Sequence, residues 1–361
     1  MITQRFGSVP PLTIGVEEEI MILDAQTLDQ VAGVDRIVAG VGERELPGEV
    51  KTELHASIAE LNTLPVANAA DVLAALVVLR RAAAEAARAA GLAIAAGGGH
   101  PFSRWQTQPI VKEEPYVTFV GWAGISALRQ TVQGLHVHLA VPSAETCWQL
   151  LEAMLPWLPV VLALSANSPW LAGELTGFAS NRAPVLTDLP RAGTPPQFAS
   201  YAEWEAWIER LVRLGVVEDE TRVWWDARPS PKFGTLEIRM PDQPTDVRRS
   251  AAFAGLLQAL ADVLLADGAD VRANRADYDQ NRWAAARFGP GAVLIHPDGS
   301  RTATAAELGR ELLDLVEPAA RRLGSADVLA VLDPAVCEAE LQSRFTSPAE
   351  ATADLVARSL A

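Results

Sequence analysis

Cysteine is nearly missing from this chain: its 361 residues include two, Cys147 and Cys337, far apart and in no ligand-like spacing. That excludes a disulfide framework and a zinc knuckle, and it fits a reducing compartment. Positive charge is also scarce. Against 45 Asp and Glu there are 30 Lys and Arg, giving a formal net charge of −15. Phosphate backbones select basic faces, so no nucleic-acid partner is expected. A small nucleotide is not excluded, because metal ions and a few arginines can balance it locally.

Long apolar runs are absent too. The most apolar stretch, Met154 to Ser165, is short and holds Pro156 and Pro159, so no membrane span is expected. Met1 to Pro11 lacks a basic start followed by an apolar stretch, so no signal peptide is expected and the cytoplasm is the expected location. No Gly-x-Ser-x-Gly elbow or Cys-His signature is present. Gly97-Gly98-Gly99-His100-Pro101-Phe102 is glycine-rich but lacks the lysine and threonine of a P-loop, and it has no Rossmann spacing. It reads as a tight turn.

What is present is a folding sequence, 49% hydrophobic and long enough for one large or two modest domains. Apolar periodicity predicts helices over Ala69 to Ala90, Thr146 to Ser165 (bent near its prolines), Tyr201 to Leu214 behind the cap pair Ser200 and Glu203, Asp246 to Ala266, Ala305 to Leu323 and Ala349 to Leu360. Strand-like runs are Thr13 to Leu23, Lys51 to Asn62, Ala93 to Gly97, Gly134 to Val141, Gly234 to Met240 and Ala292 to Ile295. The two kinds do not alternate strictly. The expected class is α+β: a mainly antiparallel sheet with helices packed on one face, the other face free to form a site.

Residues two apart on a strand share a face. In Thr13 to Leu23, Glu17 and Glu19 therefore share one, while Glu18 points the other way with Ile20 and Ile22. Adjacent carboxylates repel, and a bound cation removes the repulsion; a charged edge strand is the other reading. Glu53 and Glu60 are seven apart, opposite on a straight strand but together across a bend or along a helix. His136 and His138 share a face of a half-buried strand and suit a metal or a phosphate oxygen, or simply each other's hydrogen-bonding neighbours. Glu237 and Arg239 share a face, as an ion pair or as part of a site, and Arg228 and Lys232 lie in the proline-stiffened loop just upstream. Further polar clusters are Thr176 to Arg182, Asn274-Arg275 and Asn281-Arg282-Trp283. Hard oxygen ligands favour Mg²⁺ or Mn²⁺ over zinc, and carboxylates with arginines suit metal-assisted phosphoryl transfer.

These segments, in order, resemble the carboxylate–amine ligases similar to glutamate–cysteine ligase type 2. Gly15 to Glu19, Glu53 to Thr63, Gly99 to Phe102, Gly134 to His138, Leu164 to Pro169, Thr176 to Arg182, Trp224 to Arg239 and Asn281 to Arg287 carry the resemblance, which spans nearly the whole chain. It implies a single catalytic domain over residues 1–361 with a glutamine-synthetase-like sheet. It implies Glu17, Glu19, Glu53, Glu60, His136 and Glu237 as metal ligands and Arg239 on the transferring phosphate. Arg228, Lys232 and Arg182 are the further cations expected in catalysis, and His138, Asn281 and Arg282 those expected on the nucleotide. Gly99 stands where the family often has threonine, and Gln133 where many relatives have cysteine or an apolar residue.

The expected activity is ATP- and Mg²⁺- or Mn²⁺-dependent amide formation through an acyl phosphate. The resemblance implies glutamate and cysteine as substrates, and a homodimer is compatible with it. The rivals are a guanidino or amino kinase on the same sheet, a metal-dependent hydrolase built on His136 and His138, and a nucleotide-binding module without turnover.

Overall fold

The computed structural model describes residues 2–269 and 271–360. Its centre is a seven-stranded sheet. The strands are β1 (Ile14–Asp24), β2 (Gly48–Thr52), β3 (Ile58–Thr63), β4 (Leu92–Ala95), β5 (Leu135–Ala140), β6 (Ala227–Ser230) and β7 (Thr235–Ile238). Their spatial order is β6-β7-β5-β1-β3-β2, with β4 beside the far half of β1. Every ladder in this sheet is antiparallel.

Alternation along β1 sorts its side chains. Ile14, Val16, Glu18, Ile20 and Ile22 are buried on one face, whereas Gly15, Glu17 and Glu19 are only half-buried on the other. Helices cover the first face. Ala69–Ala89 packs under β3 and β4, and Val247–Ala266 lies beneath β1 and β5 against it. Burying aliphatic side chains between these layers supplies most of the stabilisation. The far end of the second face is closed where Met21 and Leu23 meet Leu355 of the C-terminal helix Pro348–Arg358. The stretch around Gly15, Glu17 and Glu19 stays open.

The bent helix is real. Ala144–Met154 and Leu158–Ser165 are joined by a 3-10 turn at Leu155–Trp157. Two helical stretches, Ala144–Ser165 and Val247–Ala266, have the length and hydropathy of membrane spans, but 83% and 72% of their apolar windows are buried within the fold, as in core helices.

One expectation is corrected and one helix is added. The run Lys51 to Asn62 is not one strand: it turns back at residues 53–57, so β2 and β3 pair antiparallel with Lys51 opposite Glu60. The polar clusters at Asn274-Arg275 and Asn281-Arg282-Trp283 belong to a helix that apolar periodicity did not predict. They open and line the helix Arg275–Phe288, capped by Asn274. Its buried stripe includes Ala284, Ala285 and Ala286, side chains too small to give a strong apolar signal.

Candidate active site

Strand register places the site residues in rows. Across the open face, Glu237 faces His138 and Arg228 faces Glu237; one row on, His136 faces Glu17; one row further, Glu19 faces Glu60 and Glu60 faces Lys51. Glu53, at the turn leaving β2, folds back beside Glu60. Two acidic groups result, Glu19–Glu53–Glu60 and Glu17–His138–Glu237. In each, one ligand-type atom per residue lies within 4.8 Å of the others.

Their electrostatics differ. Burial drives the Glu53 carboxyl well above its ordinary range, and the Glu60 and Glu19 charges push it the same way. Burial lifts Glu60 to about 7 with help from Glu17, although the Lys51 ammonium stands 2.9 Å away. One exposed cation does not compensate three clustered carboxylates, so protons fill the gap. In the second group, burial would raise Glu237, but Arg228 and Arg239 hold it far below the carboxylate range. Arg228 donates to both its oxygens, at 2.8 and 3.2 Å, and Arg239 donates to Oε1. Burial also pushes Glu17 up, and the neighbouring His136 and His138 imidazoles reverse the shift to well below normal.

The histidines are not equivalent. His138 Nδ1 bonds the Thr235 hydroxyl at 2.8 Å, while its buried Nε2 has no hydrogen-bond partner and faces a Glu17 oxygen at 3.5 Å. An orphaned imidazole nitrogen beside two carboxylates, its other nitrogen already tethered, is a donor set that fits a divalent ion. His136 Nδ1 sits 3.1 Å from Glu17 and 3.5 Å from Arg239, and its Nε2 is 3.8 Å from Glu19. Burial and Arg239 lower its pKa, keeping the ring neutral.

Two cavities flank these groups. One, of about 240 Å³, meets Glu19, Glu53 and Arg239 at one end and an aromatic wall of Tyr116, Phe119 and Trp224 at the other. The second, about 250 Å³, meets Glu17, Lys51 and His138 and is walled by Val16, Ala140 and Phe233.

The remaining expected residues are placed as follows. Arg182 is buried and donates to the carbonyls of Arg239, Met240 and Pro241, fixing the strand end that carries Arg239. A Cβ on Gly134 would stand 2.0 Å from this guanidinium, so only glycine fits, and the Gly134 amide donates to Glu19 at 2.6 Å. Arg282 clasps Asp226 with two donors. Asn281 exchanges two hydrogen bonds with the backbone of Ile295. Lys232 lies in the exposed β6–β7 turn, its ammonium 5.5 Å above the Phe233 ring. Asn281, Arg282 and Lys232 are therefore not brought to the acidic groups.

Sequence reasoning missed Asp242. This buried carboxylate collects the Asn167 amide and the Ser168 and Ser180 hydroxyls, joining two of the resembling segments beneath Arg182. Its flanking prolines, Pro241 and Pro244, were the available signal. Lys51 and Thr235 were also missed, each visible only once the register is known.

Comparison with known proteins identifies the family and the fold. The family model described as glutamate–cysteine ligase family 2 matches residues 13–353. A Rubrobacter xylanophilus protein provisionally named glutamate–cysteine ligase 2-3 is 39% identical over 348 residues, 94% of this chain and 89% of its own. A Herpetosiphon aurantiacus protein provisionally named glutamate–cysteine ligase 2 is 36% identical over 96% of this chain and 91% of its own. Among solved structures, the AMP complex of Francisella tularensis glutamate–cysteine ligase superposes with a TM-score of 0.72 at 14% identity, covering 100% of this chain and 89% of that one. A bifunctional glutathione synthetase from Pasteurella multocida gives 0.62 at 16%, covering 96% and 50%. The likeness to these structures establishes the glutamine-synthetase-like fold, and the family match across the chain establishes its membership: this protein belongs to glutamate–cysteine ligase family 2.

Proposed function

We propose that this chain is an ATP- and divalent-cation-dependent carboxylate–amine ligase that forms its amide through an acyl phosphate. The observation that carries the reading is the pair of acidic groups side by side on an open sheet face, with Arg239 at their junction and a cavity on either side.

Glu19, Glu53 and Glu60 would hold one ion, and Glu17, Glu237 and a histidine a second. The resemblance implies His136 as that histidine; the orphaned Nε2 favours His138. Mg²⁺ or Mn²⁺ there supplies charge neutralisation on phosphate oxygens. The cavity beside Glu17, with its apolar walls, suits the nucleotide, and the one beside Glu19 suits the carboxylate and amine substrates. Arg228 keeps Glu237 ionised and fixed, and Arg182 fixes the backbone behind Arg239. Arg239 then faces developing charge as the γ-phosphoryl passes from ADP oxygen to substrate carboxylate oxygen. Attack of the amine on the acyl carbon forms the amide and releases phosphate and a proton. Glutamate and cysteine are the proposed substrates.

The test is ADP formation across a matrix of amino acids and amines, with hydroxylamine as a trap. ADP release needing Mg²⁺ and a carboxylate substrate, with a hydroxamate in the trap, is the expected result. ADP release without hydroxamate would make the protein a kinase, and no ATP binding would sink the reading.

A further inference from the structure

Lys51 is a cation that the proposed chemistry leaves unused. It lies on β2 directly opposite Glu60, and its Nζ bonds Glu60 Oε1 at 2.9 Å. Among the described residues, no other lysine or arginine forms an ion pair with Glu19, Glu53 or Glu60. The Glu60 side chain is 8% exposed, whereas that of Lys51 is 43% exposed. The carboxylate is therefore fixed, while the ammonium rides on a flexible four-carbon stem that moves at little cost. Lys51 also borders the cavity of Glu17 and His138, which meets the end of β3 at Asn62 and Thr63, whereas the substrate cavity meets its start at Ile58. Its side chain thus touches both the acidic group and the cavity suited to the nucleotide.

We propose that Lys51 is a tethered counter-cation that exchanges places: it occupies Glu60 when no metal is bound, and it turns to the polyphosphate of the nucleotide when a divalent ion takes that carboxylate. The proposal rests on the ligase reading of the two cavities. Its physical basis is competition. An ammonium and a divalent ion on one carboxylate repel each other, and the more weakly held, more exposed partner leaves. The departing charge meets an anion next to it, so the two ligands bind cooperatively: the metal frees the lysine that the nucleotide needs. Lys51 is then a nucleotide-contacting residue, and its pairing with Glu60 is a resting state.

The exchange predicts opposite effects on two ligands, which a merely structural ion pair does not. Mn²⁺ binding to the nucleotide-free full chain would be measured by calorimetry, and binding of a non-hydrolysable ATP analogue in saturating Mg²⁺ by the same method. For Lys51→Met, the expectation is Mn²⁺ affinity raised several-fold and analogue affinity lowered roughly tenfold, the size of one lost charge-assisted hydrogen bond. Lys51→Arg keeps the charge and restores most analogue affinity. A wild-type protein that binds both ligands, with Lys51→Met shifting neither or shifting both the same way, overturns the exchange and leaves the ligase reading standing. A wild-type protein that binds neither ligand overturns both.

Discussion

Three consecutive glutamates on β1 show how one strand serves two purposes. Glu18 is fully buried on the core face and is clasped there by Arg80 through two hydrogen bonds of 2.6 and 2.7 Å. Gln243 adds a third at 2.9 Å, and Arg80 spends its remaining donors on the carbonyls of Pro244, Thr245 and Ser359. Glu17 and Glu19, one residue to either side, face the open side and keep company mainly with other carboxylates and imidazoles. The core-face acid is compensated within the chain and ties sheet, helix and C-terminus together. The open-face acids are left to be compensated from outside. The same residue type at adjacent positions therefore divides into structure and chemistry, and the division is set by which face of the pleat each occupies.

The largest expected effect tests that division directly. Glu18→Ala leaves the buried Arg80 without its counter-charge and should cost about 3–5 kcal/mol of stability by urea unfolding. Glu19→Gln removes one of a set of mutually repelling charges. It should leave stability unchanged or raised while ADP formation falls roughly 10²- to 10³-fold. Equal losses of stability in the two variants would erase the distinction. Next in size is the contrast between the histidines. His138→Asn should weaken Mn²⁺ binding by at least the roughly 10- to 100-fold that loss of a ligand's supporting partner costs. His136→Asn, its ring held between Glu17 and Arg239, should lower ADP formation more than Mn²⁺ affinity. The reverse order would make His136 the ligand.

Much of this was legible in the sequence. Period-two alternation alone separates Glu18 from Glu17 and Glu19, and β1 bears it out. The antiparallel sheet, its helical cover and the proline-bent helix were likewise readable, because apolar spacing and prolines act locally. What stayed hidden depends on pairing between distant segments. No glycine or proline marks the turn at residues 53–57, so the geometry that gathers Glu53 and Glu60 could not be read from spacing. Arg80 is one of three arginines, with Arg81 and Arg88, in the second half of the helix Ala69–Ala89. Its place on the buried stripe with Leu76, Leu79 and Ala83 was the sign that it would need a partner. The helix that carries Asn281 and Arg282 was hidden too, because its buried stripe is lined with alanine.

A smaller effect distinguishes the two acidic groups from each other. The Glu60 pKa stands at about 7 against an ordinary value of 4.5, so between those values the folded, metal-free protein holds more protons than the unfolded chain. Its metal-free stability contribution therefore falls as pH rises through that window. A divalent ion must displace the proton, so Mn²⁺ affinity should rise roughly fivefold from pH 6 to pH 7. Glu60→Gln should flatten the dependence. A pH-independent affinity in the wild type would mean that Lys51 already compensates the group.

The smallest expected effect concerns a residue that sequence reasoning placed in catalysis. Lys232 projects from an exposed turn, its ammonium over the Phe233 ring. Cation–aromatic contacts at exposed sites contribute little, and a surface lysine pays side-chain entropy to hold one geometry. Lys232→Ala should change stability by no more than about 0.5 kcal/mol and ADP formation by no more than about twofold. Its ammonium is the counterpart of Lys51: Lys51 lines the nucleotide-suited cavity and Lys232 stands beside Phe233, which also lines it, but only Lys51 is paired with a buried carboxylate. If Lys232→Ala instead raised the KM for ATP as strongly as Lys51→Met, the turn would have to close over the nucleotide, and Phe233 would move with it.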